Sequence, residues 1–252
     1  MGLENKVAIV TGGAQGIGMA TSMAFAEAGA HVFVVDVDEE AGAELAAMTS
    51  AAGHAVTFIK GSVAEEDDVA AFCARVAREA GAIHVLINNA GVMDTADLTE
   101  RPMDAWDRIL GINLRGPYMC AKYAAPHMPQ GSAIVNIAST RALMSEPNTE
   151  PYSASKGGLL ALTHSLAISL APRRIRVNCI CPGWIDTARW KKKSQRTELQ
   201  HSARDHGQHP VGRIGEPNDI AQACLFLADG DKSGFMTGAN IVIDGGMTVK
   251  MI

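Results

Sequence analysis

The sequence lacks long apolar runs, and no stretch of about 18 residues is apolar and charge-free enough for a membrane-spanning helix. It also lacks an excess of basic residues, since 22 Lys and Arg stand against 27 Asp and Glu and the net charge is −5. Nucleic-acid binders hold phosphates with clustered Lys and Arg. We therefore expect neither a membrane nor a nucleic acid among the partners of this protein.

Cysteine is scarce and is arranged neither as a disulfide framework nor as a zinc site. The five cysteines are odd in number, and no two are spaced as Cys-x-x-Cys. Cys179 and Cys181 have no His or Cys neighbours at the spacing of zinc ligands. The first residues lack the basic stretch, apolar run and cleavage site of a secretory signal. We expect a cytoplasmic protein in a reducing compartment, with no bound metal.

Apolar runs of strand length alternate along the chain with longer segments of helical periodicity. The predicted strands are 6–11, 31–36, 55–60, 83–88, 133–139, 174–180 and 240–244, and the predicted helices are 16–28, 39–52, 65–80, 103–127, 152–171 and 217–228. Nearly continuous apolar runs are typical of strands buried on both faces. The alternation predicts an α/β fold, a single domain over 1–252 with a doubly wound parallel sheet of about seven strands.

A glycine-rich loop joins the first predicted strand to the first predicted helix, in the order Thr11-Gly12-Gly13-Ala14-Gln15-Gly16-Ile17-Gly18. Glycine permits a tight turn and lets a ligand approach the backbone closely. The free N–H groups and the dipole at a helix N-terminus favour a diphosphate. A turn that needs positive φ would also explain such a loop, but its position between strand and helix favours dinucleotide binding.

Asp36 ends the second predicted strand, 18 residues after the last glycine of the loop. A carboxylate there can accept hydrogen bonds from both hydroxyls of an adenosine ribose, and it repels a 2′-phosphate. No Arg or Lys follows it, because Val37 and Asp38 come next. The alternative is an aspartate that merely faces solvent at a strand end. We infer NAD rather than NADP as the cofactor.

Further polar residues follow predicted strands or begin a predicted helix. Asn88 and Asn89 end the fourth strand, and Ser139 ends the fifth. Tyr152 and Lys156 are four residues apart and so share one face of a helix. A lysine charge about 4 Å away would supply roughly the 4 kcal/mol needed to bring the tyrosine pKa near neutrality. Tyr–Lys pairs also occur by chance on helix surfaces, and a turn explains the asparagines equally well.

Taken together, these motifs resemble those of the short-chain dehydrogenase/reductase family over essentially the whole chain. The matching motifs are the Thr-Gly-x-x-x-Gly-x-Gly loop at 11–18, Asn88-Asn89-Ala90-Gly91, Asn113, Ser139, Tyr152, Lys156, Pro182-Gly183-Trp184-Ile185-Asp186-Thr187, and Gly238-Ala239-Asn240 followed by Asp244-Gly245-Gly246. The resemblance implies a Rossmann-like fold with helices on both faces of the sheet. It also implies an oxidoreductase that transfers a hydride between a nicotinamide ring and the carbon of a secondary alcohol or ketone.

The resemblance implies a role for each matching residue. Tyr152 would be the catalytic acid/base, Ser139 would hold the substrate oxygen, and Lys156 would bind the nicotinamide ribose and shift the pKa of Tyr152. Asn113 would anchor a water chain that leads protons to Lys156. The cofactor would be bound by Gly12, Gln15, Gly16, Ile17, Gly18, Asp36, Ser62, Val63, Asn89, Ala90, Gly91, Tyr152, Lys156, Pro182, Gly183, Ile185 and Thr187.

Two positions depart from the family pattern. Ser62 and Val63 stand where the family usually has Asp-Val, so a hydroxyl replaces the carboxylate expected on the adenine amino group. We therefore expect a modestly lower affinity for the cofactor, because the contact at its adenine group is weaker. Cys181, just before Pro182, is interpreted as a small apolar filler, with a reactive thiol as the alternative.

The sequence does not define the substrate. A sugar, a polyol or a hydroxy acid would suit the reaction. Reduction of a 3-oxoacyl thioester is the alternative, although such reductases usually prefer NADP and Asp36 opposes it. A non-catalytic dinucleotide sensor is a second alternative, and it would be expected to have lost Tyr152 or Lys156. The resemblance also implies a homotetramer or homodimer, formed through the helices at 103–127 and 152–171 and the last strand.

Two charged groups near the expected pocket suggest substrate contacts. Glu146 and Glu150 precede Tyr152 and would accept hydrogen bonds from the vicinal hydroxyls of a polyol or sugar, unless they are exposed loop charges. The segment 188–209 has a net charge of +4 and falls where the family has a substrate lid, at about 188–211. It would attract an anionic substrate, unless its basic residues are solvated or pair with acidic residues elsewhere.

Overall fold

Seven parallel strands form one sheet, in the order β3-β2-β1-β4-β5-β6-β7, in the computed structural model, which describes residues 2–251. The strands are β1 (Val7–Thr11), β2 (His31–Asp36), β3 (Val56–Lys60), β4 (Val85–Asn88), β5 (Ala133–Ile137), β6 (Arg176–Pro182) and β7 (Asn240–Ile243). The strand order reverses between β1 and β4, so the chain winds outward from that pair in both directions. The predicted doubly wound α/β fold is confirmed.

Helices cover both faces of the sheet. They are α1 (Gly16–Glu27), α2 (Glu39–Ala51), α3 (Glu66–Ala80), α4 (Met103–Leu110), α5 (Gly116–Ala124), α6 (Glu150–Leu170), α7 (Ala203–Gly207), α8 (Pro217–Ala228) and α9 (Gly230–Ser233). Across residues 2–251, none of these helices combines the length and the apolar character needed to cross a membrane.

Alternate residues of each strand face opposite sides of the sheet, and each side has its own apolar core. Val10 of β1 belongs to the core that includes Phe25 of α1 and Leu227 of α8. Ile9 belongs to the opposite core, which includes Phe72 of α3 and Met119 of α5. Burial on both faces explains why the strands are continuous apolar runs rather than alternating patterns.

Predicted strand ends shift where the chain leaves the sheet. β5 ends at Ile137 rather than at Ser139, because the Ser139 side chain already caps the short 3₁₀ turn Thr140–Ala142. β6 continues to Pro182, which pairs in register with Ile243 of β7. Apolar content alone does not mark these ends, since capping and pairing with a neighbouring strand decide them.

The segment predicted as one helix over 103–127 is not regular. α4 and α5 are joined by a π-helical segment, Gly111–Arg115, and a 3₁₀ turn follows α5. Glycine weakens the helix at this junction, and Pro117 in the first turn of α5 has no N–H to donate. The π-helical segment carries the fully buried Asn113. Such π turns are frequent at functional sites.

Arg176, at the start of β6, binds the C-terminal end of α8 with its side chain. Nη1 donates to the carbonyl oxygen of Leu227 (2.8 Å) and to that of Ser233 (3.2 Å), and Nη2 donates to that of Ala228 (3.2 Å). The last carbonyls of a helix have no partner inside the helix. The buried guanidinium of Arg176 therefore supplies the donors that this helix end needs.

Arg176→Gln should lower the free energy of unfolding by about 2–4 kcal/mol, because buried carbonyls lose a charged donor. Arg75→Gln is the matched control, since Arg75 forms a half-exposed pair with Glu79 along α3. Its loss should change stability by less than about 0.5 kcal/mol. Urea unfolding followed by circular dichroism measures both variants. Equal losses in the two variants would contradict this role of Arg176.

Candidate active site

The carboxyl ends of β1 and β4 lie side by side, with Thr11 paired to Asn88. Open α/β sheets bind ligands outside the strand ends where the strand order reverses. The glycine-rich loop leaves β1 at this place with Gly12 at φ +59°, and a Cβ on Gly18 would overlap the carbonyl oxygen of Gly12. The side-chain amide of Asn89 donates to that carbonyl (2.9 Å), so the loop is tied to the end of β4.

A cleft of about 800 Å³ opens at these strand ends. It is lined by eleven of the residues assigned to the cofactor from the sequence: Gly12, Gln15, Gly16, Ile17, Asp36, Ser62, Val63, Asn89, Ala90, Gly91 and Thr187. Residues that the sequence analysis missed also line it: Val35, Val37, Gly61, Ala64, Glu65, Val92, Arg108, Ile112, Lys191 and Gln195. Val37 and Val92 directly follow motif residues, so their places in the sequence could have predicted that they line the cleft. Lys191 and Gln195 come from a distant segment and carry no such signal.

The Asp36 carboxylate is held in the cleft by backbone donors. Its Oδ2 accepts the N–H of Ala14 (3.1 Å), and its Oδ1 accepts the N–H of Asp38 (3.1 Å). Each oxygen keeps a further lone pair, because a carboxylate has about four acceptor sites. The carboxylate is thus oriented in advance and can accept hydrogen bonds from a ligand in the cleft.

Ser62 lines the cleft, but its hydroxyl oxygen is already bonded. It accepts the N–H of Ala64 (3.2 Å), while the Asp68 carboxylate accepts the N–H of Ser62 (2.9 Å). These two bonds shape the turn after β3. Glu65 lies on the same turn and also lines the cleft, so an acidic side chain is present there at a different position.

Lys156 is buried beside the cleft, on α6. Its ammonium donates to the carbonyl oxygen of Ile137 (2.8 Å), the last residue of β5. The same nitrogen lies 5.6 Å from the centre of the Tyr152 ring. A Cβ on Gly91 would stand 3.4 Å from it, so Lys156 reaches the wall of the cleft. Burial lowers the pKa of Lys156 to about 8.

Tyr152 lies in the first turn of α6, next to Ser139. Burial raises the pKa of Tyr152, while the Ser139 side chain and the positive charge of Arg141 lower it. The expected effect of Lys156 on this pKa is not among these causes and stays a prediction. Ser139 Oγ also accepts the N–H of Arg141 (3.1 Å), which fixes the Ser139 side chain.

Asn113 joins the π-helical segment to the loop after β4. Its Nδ2 donates to the carbonyl oxygen of Val92 (2.8 Å) and its Oδ1 accepts the Val92 N–H (2.8 Å). Nδ2 also donates to Ser155 Oγ (3.1 Å) on α6. One buried amide thus fixes the positions of three segments around the side chain of Lys156.

Six positions assigned to the cofactor from the sequence do not form the walls of this cleft: Gly18, Tyr152, Lys156, Pro182, Gly183 and Ile185. Lys156 and Tyr152 lie behind the wall at Gly91, as described above. The N–H of Gly183 donates to Ile243 of β7 (2.9 Å), and Ile185 pairs with Gly215 in an isolated β-bridge. These residues lead the chain from β6 to Thr187, which does line the cleft. Their contact with a cofactor stays a prediction.

The first half of the basic segment, residues 191–196, crosses to α2 and the glycine-rich loop, and we call it the strap. Lys192 Nζ lies 3.0 Å from the Asp38 carboxylate and 2.8 Å from that of Glu40. The N–H of Lys192 donates to Gln15 Oε1 (3.1 Å). These contacts attach the strap to the cleft on the side of the glycine-rich loop.

Other basic residues of the segment are also paired. Arg196 lies 4.0 Å from the Glu44 carboxylate, and Arg189 lies 3.0 Å from that of Glu198. The sequence left two hypotheses for the basic residues of this segment: they attract an anionic substrate, or they are solvated or paired with acidic residues. Lys192, Arg196 and Arg189 are paired with acidic residues. Attraction of a substrate anion finds no support in the placement of these three residues.

Both glutamates before Tyr152 have an arginine partner. Glu150 lies 2.7 Å from Arg101, which also pairs with Asp94 at 3.1 Å. Glu146 lies 2.5 Å from Arg141 and is largely exposed. These pairings weaken the hypothesis that the two carboxylates hold the vicinal hydroxyls of a substrate.

Cys181 is fully buried and packs with Cys179, Ala138 and Leu159 in a small apolar cluster. Burial and the neighbouring thiol hold the pKa of Cys179 well above its usual value. All five cysteines are free and buried. This packing supports the interpretation of Cys181 as an apolar filler.

Known proteins share this architecture over nearly the whole chain. A family model described as enoyl-(acyl carrier protein) reductase matches residues 12–248. An uncharacterized oxidoreductase of Thermotoga maritima is 54% identical over 252 residues, which is 99% of this chain and 98% of that protein. The cis-4-hydroxycyclohexanecarboxylate dehydrogenase of Sinomonas cyclohexanicum is 39% identical over 246 residues, which is 96% of each chain.

A solved structure gives the same result. The blue fluorescent protein from a metagenomic library, in complex with NADPH, superposes with a TM-score of 0.88 at 32% identity, covering 98% of this chain and 99% of that one. The chain therefore belongs to the short-chain dehydrogenase/reductase family, and it is an oxidoreductase of that type.

Asn113→Leu should lower the free energy of unfolding by about 2–4 kcal/mol, because the Val92 N–H and carbonyl lose their buried partners. Asn218→Leu is the matched control, since Asn218 is exposed and its amide oxygen accepts from Gln222 on the surface of α8. Urea unfolding measures both changes. A loss for Asn113→Leu no larger than that of the control would contradict the structural role given to this amide.

Proposed function

We propose that the protein is an NAD-preferring oxidoreductase that transfers a hydride between nicotinamide and the carbon of a secondary alcohol or ketone. One observation carries the proposal: the cleft that holds Asp36 is continuous with Gly91, and Gly91 adjoins Lys156. Lys156 in turn lies beside Tyr152, which adjoins Ser139. The cleft that holds the Asp36 carboxylate thus ends, at Gly91, next to the group of side chains that contains the candidate acid/base.

The residues of the cleft fit a dinucleotide. The backbone at Gly12 and Gly18 packs so closely that no side chain has room, which lets a diphosphate approach the N-terminus of α1. The oriented carboxylate of Asp36 suits two ribose hydroxyls and would repel a 2′-phosphate. Lys156 would bind the nicotinamide ribose at the other end of the cleft.

The chemistry at the substrate follows from the positions of two side chains, Ser139 and Tyr152. Ser139 would hold the substrate oxygen, and Tyr152 would take its proton during oxidation and return it during reduction. The bound nicotinamide supplies the hydride chemistry. Proton transfer by a positioned side chain typically contributes about 10²–10⁴-fold to the rate.

Ionisation of the Tyr152 hydroxyl near neutral pH requires positive charge nearby to stabilise the phenolate. An ordinary tyrosine pKa of about 10 must fall by about 3 for ionisation near neutrality, which is about 4 kcal/mol. A charge 5.6 Å away, the distance from Lys156 Nζ to the ring centre, supplies about 3 kcal/mol at an effective dielectric constant of about 20. Lys156 alone therefore falls short, and the Arg141 charge and the Ser139 side chain add to it.

Lys156 would also pass protons. Its pKa of about 8 lets the ammonium exchange a proton near neutral pH while it stays largely charged. Both N–H groups of the Asn113 side chain are used by Val92 and Ser155, so it would support the proton path by fixing the segments around Lys156. The water chain itself is part of the proposal.

Two alternatives are kept. The second candidate is a 3-oxoacyl-thioester reductase, and the description of the matching family model, which names a reductase of an acyl-carrier-protein substrate, lends it support. Asp36 opposes it if such an enzyme uses NADP. A non-catalytic dinucleotide sensor would bind NAD without forming NADH, and it would not need Tyr152 or Lys156. The name of one relative denotes a secondary alcohol with a carboxylate, and this supports the dehydrogenase assignment.

The remaining features of the proposal come from the family. We propose a single catalytic domain that works in the cytoplasm as a homotetramer or homodimer, with residues of about 188–211 as a lid over the substrate. The strap is the part of this segment that contacts the glycine-rich loop. The rest of the segment would cover the reacting groups.

Tyr152→Phe should lower kcat at least a hundredfold on the alcohol that the wild-type enzyme oxidises, the low end of the range for acid–base catalysis. NAD affinity, measured by fluorescence titration, should barely change. Tyr118→Phe is the matched control, because Tyr118 is exposed on α5. NADH formation from a panel of alcohols with NAD is the assay. Near-normal turnover by the Tyr152→Phe variant would remove the proposed mechanism.

Asp36→Ala combined with Val37→Arg should shift the ratio of NAD to NADP affinity at least about tenfold toward NADP, which requires only about 1.4 kcal/mol. The change removes a repulsive carboxylate and adds a phosphate partner. Fluorescence titration with each reduced cofactor measures the ratio. Preference of the wild-type protein for NADP would show that the cofactor assignment is wrong.

A further inference from the structure

Arg141 follows Ser139 by two residues, in the 3₁₀ turn that begins where β5 has ended. Its N–H donates to Ser139 Oγ (3.1 Å), so the backbone of Arg141 is part of the support of that hydroxyl. Its side chain is only 17% exposed. A cation is therefore held largely out of water within one turn of a proposed substrate-binding side chain.

The guanidinium also lies near enough to Tyr152 for its charge to be felt there. Its positive charge lowers the pKa of Tyr152 against the effect of burial. This electrostatic effect and the backbone bond to Ser139 are independent signs that Arg141 belongs to the surroundings of both side chains. A group attached to a substrate held by Ser139 and Tyr152 would come within reach of Arg141.

The ion pair of Arg141 differs from that of the other buried arginine in this region. Arg101 is 4% exposed, pairs with Asp94 and Glu150, and donates to the carbonyl oxygens of Ala96 (2.7 Å) and Asn148 (2.6 Å). These bonds hold a loop to the start of α6, so Arg101 has a structural role.

Arg141 instead lies 2.5 Å from Glu146, whose side chain is 64% exposed. A pair with so exposed a partner contributes little, because water solvates the carboxylate nearly as well. The guanidinium offers five donors in a planar fork that matches a carboxylate, and one exposed glutamate does not require all of them. Another carboxylate can therefore replace Glu146 at small loss.

We propose that Arg141 is a specificity-determining residue that binds a carboxylate of the substrate, and that Glu146 occupies this position when no substrate is bound. The substrate class is thus a hydroxy acid or oxo acid whose reacting carbon and carboxylate lie on one small molecule. This inference rests on the proposed function, since it assumes that Ser139 and Tyr152 hold the reacting oxygen. It does not depend on which nicotinamide cofactor the enzyme uses.

Paired substrates test the proposal: 4-hydroxycyclohexanecarboxylate and its uncharged carboxamide, which has nearly the same shape. Arg141→Gln should lower the ratio of kcat/KM for the carboxylate over that for the carboxamide at least tenfold, mainly through KM. The ratio removes any common effect of Arg141 on Tyr152. Arg141→Lys should recover part of the ratio, because it keeps the charge without the fork.

The opposite change in KM is expected for Glu146→Gln. It removes the competing carboxylate, so KM for the carboxylate substrate should fall at least twofold while KM for the carboxamide stays within twofold. Arg75→Gln is the matched control, since Arg75 forms a half-exposed pair with Glu79 on α3, away from the cleft. The control should leave the ratio unchanged.

Binding without turnover separates this proposal from the proposed function. In a Tyr152→Phe background with NAD, calorimetry should show tighter binding of the carboxylate than of the carboxamide, and Arg141→Gln should abolish the difference. If the wild-type enzyme forms NADH from no alcohol of the panel but this binding preference is found, the proposed reaction fails and the carboxylate contact of Arg141 stands. Equal binding of the two compounds, or weaker carboxylate binding in Glu146→Gln, would overturn it.

Discussion

Burial of the Lys156 ammonium is the constraint on which the site depends. A buried cation needs a partner, and Lys156 has one in the carbonyl oxygen of Ile137, the last residue of β5. This bond fixes α6 against the end of the sheet. Tyr152, one turn earlier on α6, is thereby set beside Ser139. The position of the reacting groups thus follows from a single solvation requirement.

Three polar side chains in this part of the structure differ in burial and in how completely they are bonded. Asn113 satisfies its partners fully and is inaccessible to water. Arg101 is equally buried and bonded on several sides. Arg141 is partly buried and is paired with an exposed carboxylate. Rigid support therefore surrounds a group whose bonding can be exchanged, and this is the arrangement that a specific but reversible site requires.

The sequence was sufficient for the fold and for the places of the motif residues. Continuous apolar strands and a glycine-rich loop predicted the sheet and its crevice, because buried parallel strands and tight turns have few other solutions. The π-helical segment at Asn113 was not predicted, since Gly111, Gly116 and Pro117 indicate a weak helix but do not specify a π turn. Residues that line the cleft from far along the chain, such as Lys191, also lacked a local signal.

Charge pairing was the other part that the sequence could not supply. The +4 segment was visible, but its partners were not, because the partners of Lys192 lie on α2, about 150 residues earlier. The same holds for Arg141 and Glu146, whose contact depends on the course of the loop between β5 and α6. Composition gives the amount of charge, and only the tertiary structure gives its neighbours.

The strap has a consequence for the electric field at the entrance of the cleft. Asp36, Asp38, Glu39, Glu40 and Glu44 gather at the end of β2 and the start of α2. Without compensation, these carboxylates would make the entrance repel any anion. Lys192 and Arg196 place positive charge directly against three of them. A cleft with the ribose-binding carboxylate proposed above could therefore still admit a negatively charged dinucleotide, because the opposing charge is supplied from the far half of the chain.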